Sequence, residues 1–83
     1  MLKELKNGTK VVGVKQTKRA LANGTARRVY LALDADPELC RPVAELSAAG
    51  GVPVEEIPTM KQLGHACSIS VPAAVAALIA GEE

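Results

Sequence analysis

Eighty-three residues, 48% of them hydrophobic and drawn mostly from Ala, Val, Leu and Ile, suffice for one small core, and the formal net charge is only +1. A single aromatic residue, Tyr30, argues against functions built on several stacking platforms, and the longest apolar stretch, VPAAVAALIA, is too short to span a membrane. Cys40 and Cys67 form no CxxC pair and follow no signal peptide, so they read as reduced thiols of a cytoplasmic protein.

In chain order, MLKELKNGT predicts a short amphipathic start that breaks at Asn7-Gly8, and KVVGV a brief strand interrupted by Gly13. A helix follows from Lys15 to Asn23, with Gly24 as its stop. Thr17, Ala20 and Leu21 fall on its inner side, Lys15, Lys18 and Arg19 on its outer side, and Gln16 on the flank. RRVYLALD alternates, with Val29, Leu31 and Leu33 on one face and Tyr30 and Ala32 on the other. Both faces are apolar, as in a strand covered by helices on each side.

Asp36 as cap, Pro37 in the first turn and Glu38 near the positive end then start a helix that runs to Gly50-Gly51. Leu39, Val43 and Leu46 form its expected buried stripe, and Pro42 is expected to bend or loosen its first turns. VPVEEIP is a second short strand, and Thr59 caps MKQLGHAC, which buries Met60, Leu63 and Cys67. The last stretch reads two ways, because alanine favours a helix while Val71, Val75 and Ile79 suit a strand. Alternation of this kind predicts an α/β/α sandwich.

Charge is distributed unevenly. Residues 1–28 carry eight cations against Glu4, a net +7, and residues 29–83 carry Arg41 and Lys61 against eight acids, a net −6. A chain so divided can present a basic face to a polyanion while staying near neutral overall. Catalytic chemistry has little to work with. His65 is the only histidine, so no metal set is expected, and Cys67 reads as core. GVKQTKR has the wrong glycine spacing for a phosphate or dinucleotide loop. Neither an enzyme nor a cofactor is expected. The start of the first helix is the better candidate, since its unpaired N–H groups, reached past Gly13, face an anion beside Lys15, Gln16 and Arg19.

Three blocks, GVKQTKRALANG, VYLALDADP and MKQLGHACSISVPAAVAALI, together resemble the ribosomal protein L7Ae/L30e superfamily, and within it the small bacterial YbxF-type members. The resemblance runs from Gly13 to Ile79. It implies a single domain over residues 1–83, a three-layer α/β/α sandwich with a mixed four-stranded sheet, and a strand at AVAALI. It also implies binding to kink-turns, sharply bent RNA motifs built on tandem sheared G·A pairs. Carried over, Gly13 matches the glycine at the helix entry, and Lys15, Gln16 and Arg19 the positions that meet the G·A pairs. Lys18 is assigned mainly to phosphate. Asp36 matches an acidic position near a flipped-out nucleotide, and Ile69, Ser70, Val71 and Pro72 the loop that packs on it.

Two departures stand out. Many archaeal and eukaryotic members carry Asn-Glu where this chain has Lys15-Gln16; lysine only donates, whereas glutamine still accepts from a guanine N–H, but without charge. Met60 replaces a basic residue of some relatives. The expected partner is a structured RNA with a kink-turn, such as ribosomal RNA or a riboswitch, bound by a cytoplasmic monomer, with no DNA or membrane partner. The alternative is a protein-interaction adaptor that keeps the fold without RNA affinity and uses Glu55, Glu56, Glu82 and Glu83.

Overall fold

The computed structural model describes residues 9–79. In order, these form β1 (Lys10–Val12), α1 (Val14–Asn23), β2 (Ala26–Ala32), α2 (Pro37–Ala49), β3 (Val54–Ile57), α3 (Met60–Ala66) and β4 (Val75–Ile79). The expected amphipathic start, residues 1–8, lies outside the described residues.

The four strands make one sheet in the order β1-β4-β2-β3. β4 is antiparallel to both β1 and β2, while β3 is parallel to β2. The parallel pair follows from its connection, because a strand that returns alongside its predecessor in the same direction needs a crossover, here α2. The alternation read in β2 divides the core in two. Val29 and Leu31 pack with Val43, Val75 and Ala77, beside the half-buried Val11, Val14 and Leu21, and so lie under α1 and α2. Tyr30 and Ala32 pack with Leu63, Ala66, Cys67, Ala76 and Leu78 under α3. The result is the three-layer α/β/α sandwich with a mixed four-stranded sheet.

β4 resolves the ambiguous tail in favour of a strand. Val75 to Leu78 are all buried, since this strand lies inside the sheet and is covered on both faces. Alanine has little strand preference of its own, but small side chains suit a strand overlaid on both sides, and packing decides.

The helix ends follow the local chemistry. Asp36 accepts from the Glu38 N–H at 2.9 Å and Thr59 from the Gln62 N–H at 3.0 Å. Gly24 closes α1 in the left-handed region at φ 74°. α2 runs unbroken through Pro42 to Ala49.

The buried face of α2 differs from the expectation. Val43 is fully buried, but Leu39 and Leu46 are 46% and 41% exposed. Ser47, fully buried, and the half-buried Cys40 and Ala44 occupy the inner face instead. The stripe is rotated toward the small residues, which let α2 approach its neighbours. The Ser47 hydroxyl is satisfied there by donating to the Val43 carbonyl at 2.8 Å. Leu33 also differs: β2 ends at Ala32, so Leu33 stands one residue past the sheet and is 60% exposed.

Candidate nucleic-acid interface

Gly13 joins β1 to α1 at φ 106° and ψ 155°, a conformation essentially restricted to glycine. Its own N–H donates to the Val75 carbonyl at 2.8 Å, which fixes the helix start to the first residue of β4. The first bond inside the helix is from the Thr17 N–H to the Gly13 carbonyl at 3.0 Å. The N–H groups of Val14, Lys15 and Gln16 therefore have no partner within the helix, and no side chain caps them. Nothing stands within 4 Å of where a Cβ on Gly13 would be, so this end of the helix is open to approach.

Thr17 and Ala20 are buried and hold α1 on the sheet, which turns Lys15, Gln16, Lys18 and Arg19 outward. Lys15, Lys18 and Arg19 form no ion pair among the described residues. Arg28 of β2 is used differently, pairing with Glu55 of β3 at 3.5 Å. Lys15 stands in the first turn of α1, at the positive end of its dipole, and Lys18 and Arg19 follow one turn along the same exposed side.

Strand directions bring the other predicted residues to the same end of the sheet. Val12 of β1 and Leu31 of β2 lie beside Ala76 and Val75, at the beginning of β4, and Ile57 of β3 lies beside Ala32. Gly13, the loop with Asp36, the turn into α3 and the Ile69–Pro72 loop all emerge there. Ser70, Val71 and Pro72 are exposed, and Ile69 is half-buried against the α3 core. Asp36 is exposed, with one carboxylate oxygen engaged in capping α2.

The Ile69–Pro72 loop is seated by the end of α3. The Ile69 N–H donates to the Gly64 carbonyl at 3.1 Å and the Ser68 N–H to that of His65 at 3.0 Å, the paired bonds of a Schellman ending. Such an ending requires a left-handed residue after the cap, and Ser68 supplies it at φ 64°. The side chain makes this conformation unfavourable by about 1 kcal/mol. Ser68→Gly is therefore expected to raise the melting temperature by roughly 4–8 °C. An unchanged melting curve would mean that Ser68 carries no strain. Gly64 is itself buried against this loop, where a Cβ would run into the Val71 carbonyl oxygen, with the Pro72 Cα 3.2 Å away.

Two residues at this end, Leu33 and Asp34, were not assigned to the site by the sequence. Leu33 and Val71, each 60% exposed, form apolar surface beside the polar groups. Asp34 accepts from the Met60 N–H at 2.8 Å, across a separation of 26 residues that no local pattern reveals. Lys61 and His65 are exposed on α3, and Met60 is half-buried. Tyr30 is fully buried, so it cannot stack on a base.

Both cysteine thiols are held toward the protonated form. Burial pushes the Cys40 thiol up, and the Asp36 carboxylate adds to this; burial also pushes up Cys67, partly opposed by Lys10. Among the described residues no group of three His, Cys, Asp or Glu could hold a metal ion, and no helix is long and apolar enough to cross a membrane.

The chain is similar to an RNA-binding protein of Geobacillus sp. (strain WCH70), at 48% identity over 77 residues, 93% of this chain and 94% of that protein. The RNA-binding protein YbxF of Geobacillus stearothermophilus is 43% identical over the same shares of the two chains. Among solved structures, the 15.5kD RNA binding protein of Giardia lamblia superposes with a TM-score of 0.90 at 30% identity, over 98% of this chain and 72% of that one. Residues 1–83 match the Ribosomal protein L7Ae/L30e/S12e/Gadd45 family, and with the three quoted blocks on one sandwich the chain belongs to that family.

Proposed function

We propose that this chain is a non-catalytic RNA-binding protein that recognises kink-turns and stabilises the bent RNA, as a single cytoplasmic domain that associates with the ribosome. The observation that carries the reading is the bare glycine-led start of α1, where unpaired N–H groups sit among Lys15, Gln16 and Arg19. That start shares one end of the sheet with Asp36 and the Ile69–Pro72 loop. The relatives named as RNA-binding proteins support the same reading.

Each group then has a physical task. The major groove of an RNA helix is normally too narrow for side chains, and a kink widens it at the G·A pairs. Gln16 offers both a donor and an acceptor to a base edge, Lys15 donates to guanine O6 or phosphate, and Arg19 neutralises phosphates crowded by the bend. Lys18, farther along α1, meets phosphate. The Ile69–Pro72 loop shields an unstacked base beside Asp36. Protein that binds only the bent form shifts the RNA toward it.

Gel-shift titration of a kink-turn RNA, beside the same RNA with its G·A pairs replaced, tests the reading. Tight binding to the first alone is expected, at least tenfold over the second, on the scale of one good base contact. Equal binding to both would sink it. Of the acids on which the adaptor alternative relies, Glu55 is paired with Arg28 and Glu56 is exposed, while Glu82 and Glu83 lie outside the described residues.

A further inference from the structure

Three hydrogen bonds link the loops at the binding end into a closed ring. The Ala32 N–H, at the end of β2, donates to the Ala74 carbonyl at 2.9 Å. Next to Ala74, the Ala73 N–H donates to the Met60 carbonyl at 3.0 Å. The Met60 N–H in turn donates to Asp34 Oδ1 at 2.8 Å, and Asp34 is two residues along the chain from Ala32. Two of these links are between backbone groups and are indifferent to side-chain identity. The third is the Asp34 carboxylate. Thr59 already caps α3 through Gln62, so Asp34 engages a donor that the cap leaves over.

The ring lies between Asp36, two residues past Asp34, and the Ile69–Pro72 loop, whose last residue precedes Ala73. We infer that Asp34 is a positioning residue: it makes no contact with RNA, and through Met60 and Ala73 it sets the Ile69–Pro72 loop against Asp36. The proposal rests on the kink-turn reading and deepens it by assigning the device that aligns the two halves of the unstacked-nucleotide site. A carboxylate committed to an internal N–H is poorly suited to a phosphate in any case, since the two repel. Its neighbour Leu33 is tied separately, by its N–H to the Ile57 carbonyl at 2.8 Å, so losing Asp34 frees the α3 side of the ring without releasing β2 from β3.

The test uses Asp34→Ala and Asp34→Asn with two RNAs, a kink-turn and the same kink-turn with an abasic ribose at the unstacked nucleotide. Wild type is expected to prefer the intact RNA. Asp34→Ala should bind the intact RNA about tenfold more weakly and the abasic RNA as wild type does, in keeping with loss of one hydrogen bond to a charged group. Asp34→Asn retains an acceptor oxygen and should keep the preference. Amide exchange at Met60 without RNA should quicken in Asp34→Ala and stay near wild type in Asp34→Asn. Asp34→Ala that keeps the full preference, or Asp34→Asn that loses it equally, overturns the positioning role. Wild type that binds no kink-turn RNA overturns the kink-turn reading and this proposal together. That outcome is distinct from failure of the proposal alone, in which wild type binds.

Discussion

Gly64→Ala should lower the melting temperature by about 10–20 °C and weaken RNA binding, against the ordinary effect of such a change. In an exposed helix interior the substitution stabilises by about 1 kcal/mol, because alanine loses less backbone entropy. At Gly64 the added methyl would occupy space already held by the Val71 carbonyl oxygen, and Pro72 stands close behind. Both neighbours are backbone atoms, so no side chain can rotate aside. Either α3 moves away from the core that Leu63 and Cys67 anchor, or the Ile69–Pro72 loop lifts off. Overpacking of this kind costs about 1–3 kcal/mol, and the upper end applies where backbone must shift. Thermal denaturation followed by circular dichroism reads the stability, and titration with kink-turn RNA reads the loop. A melting temperature at or above wild type would show that the loop is not seated on Gly64.

This contact also shows where sequence reading stops. Gly64 lies in MKQLGHAC, a helix legible from Thr59 and the spacing of Met60, Leu63 and Cys67, but its partner is a loop whose path no pattern encodes. Helix ends were legible because they depend on neighbours in sequence: Asp36 and Thr59 cap where expected, and Gly24 stops α1. The inner face of α2 was not. Leu39 and Leu46 carry the greater hydrophobicity, but Cys40, Ala44 and Ser47 are small enough to face the closely packed neighbours. The last strand had to be read from resemblance, because alanine is silent about strands and burial between β1 and β2 decides its conformation. For the candidate binding end, α1 could be read as cationic from Lys15, Lys18 and Arg19 alone. That Asp36, the Ile69–Pro72 loop and Gly13 share one end of the sheet follows from strand order, which is a property of the fold. Asp34 shows the same limit, as its partner lies 26 residues away.

Gln16→Ala separates base reading from charge at the open start of α1. Gln16 and Lys18 are both exposed and two residues apart, so neither substitution leaves a cavity and both variants should fold as wild type does. Their chemistry differs. The glutamine amide presents one acceptor and two donors in a plane, which suits a base edge; the lysine ammonium is a point charge that phosphate of any sequence satisfies. Loss of a base contact removes about 1–3 kcal/mol of discrimination. Gln16→Ala should therefore weaken binding to the kink-turn about 10–100-fold while leaving affinity for the RNA with replaced G·A pairs nearly unchanged. Lys18→Ala should weaken both RNAs alike and reduce the slope of log affinity against log salt by about one at most. Measured at two salt concentrations, the pair forms a cross-check: the glutamine variant alters selectivity at constant slope, and the lysine variant alters slope at constant selectivity. If Gln16→Ala kept full selectivity, the open N–H groups of α1 and Lys15 would be reading the G·A pairs without it.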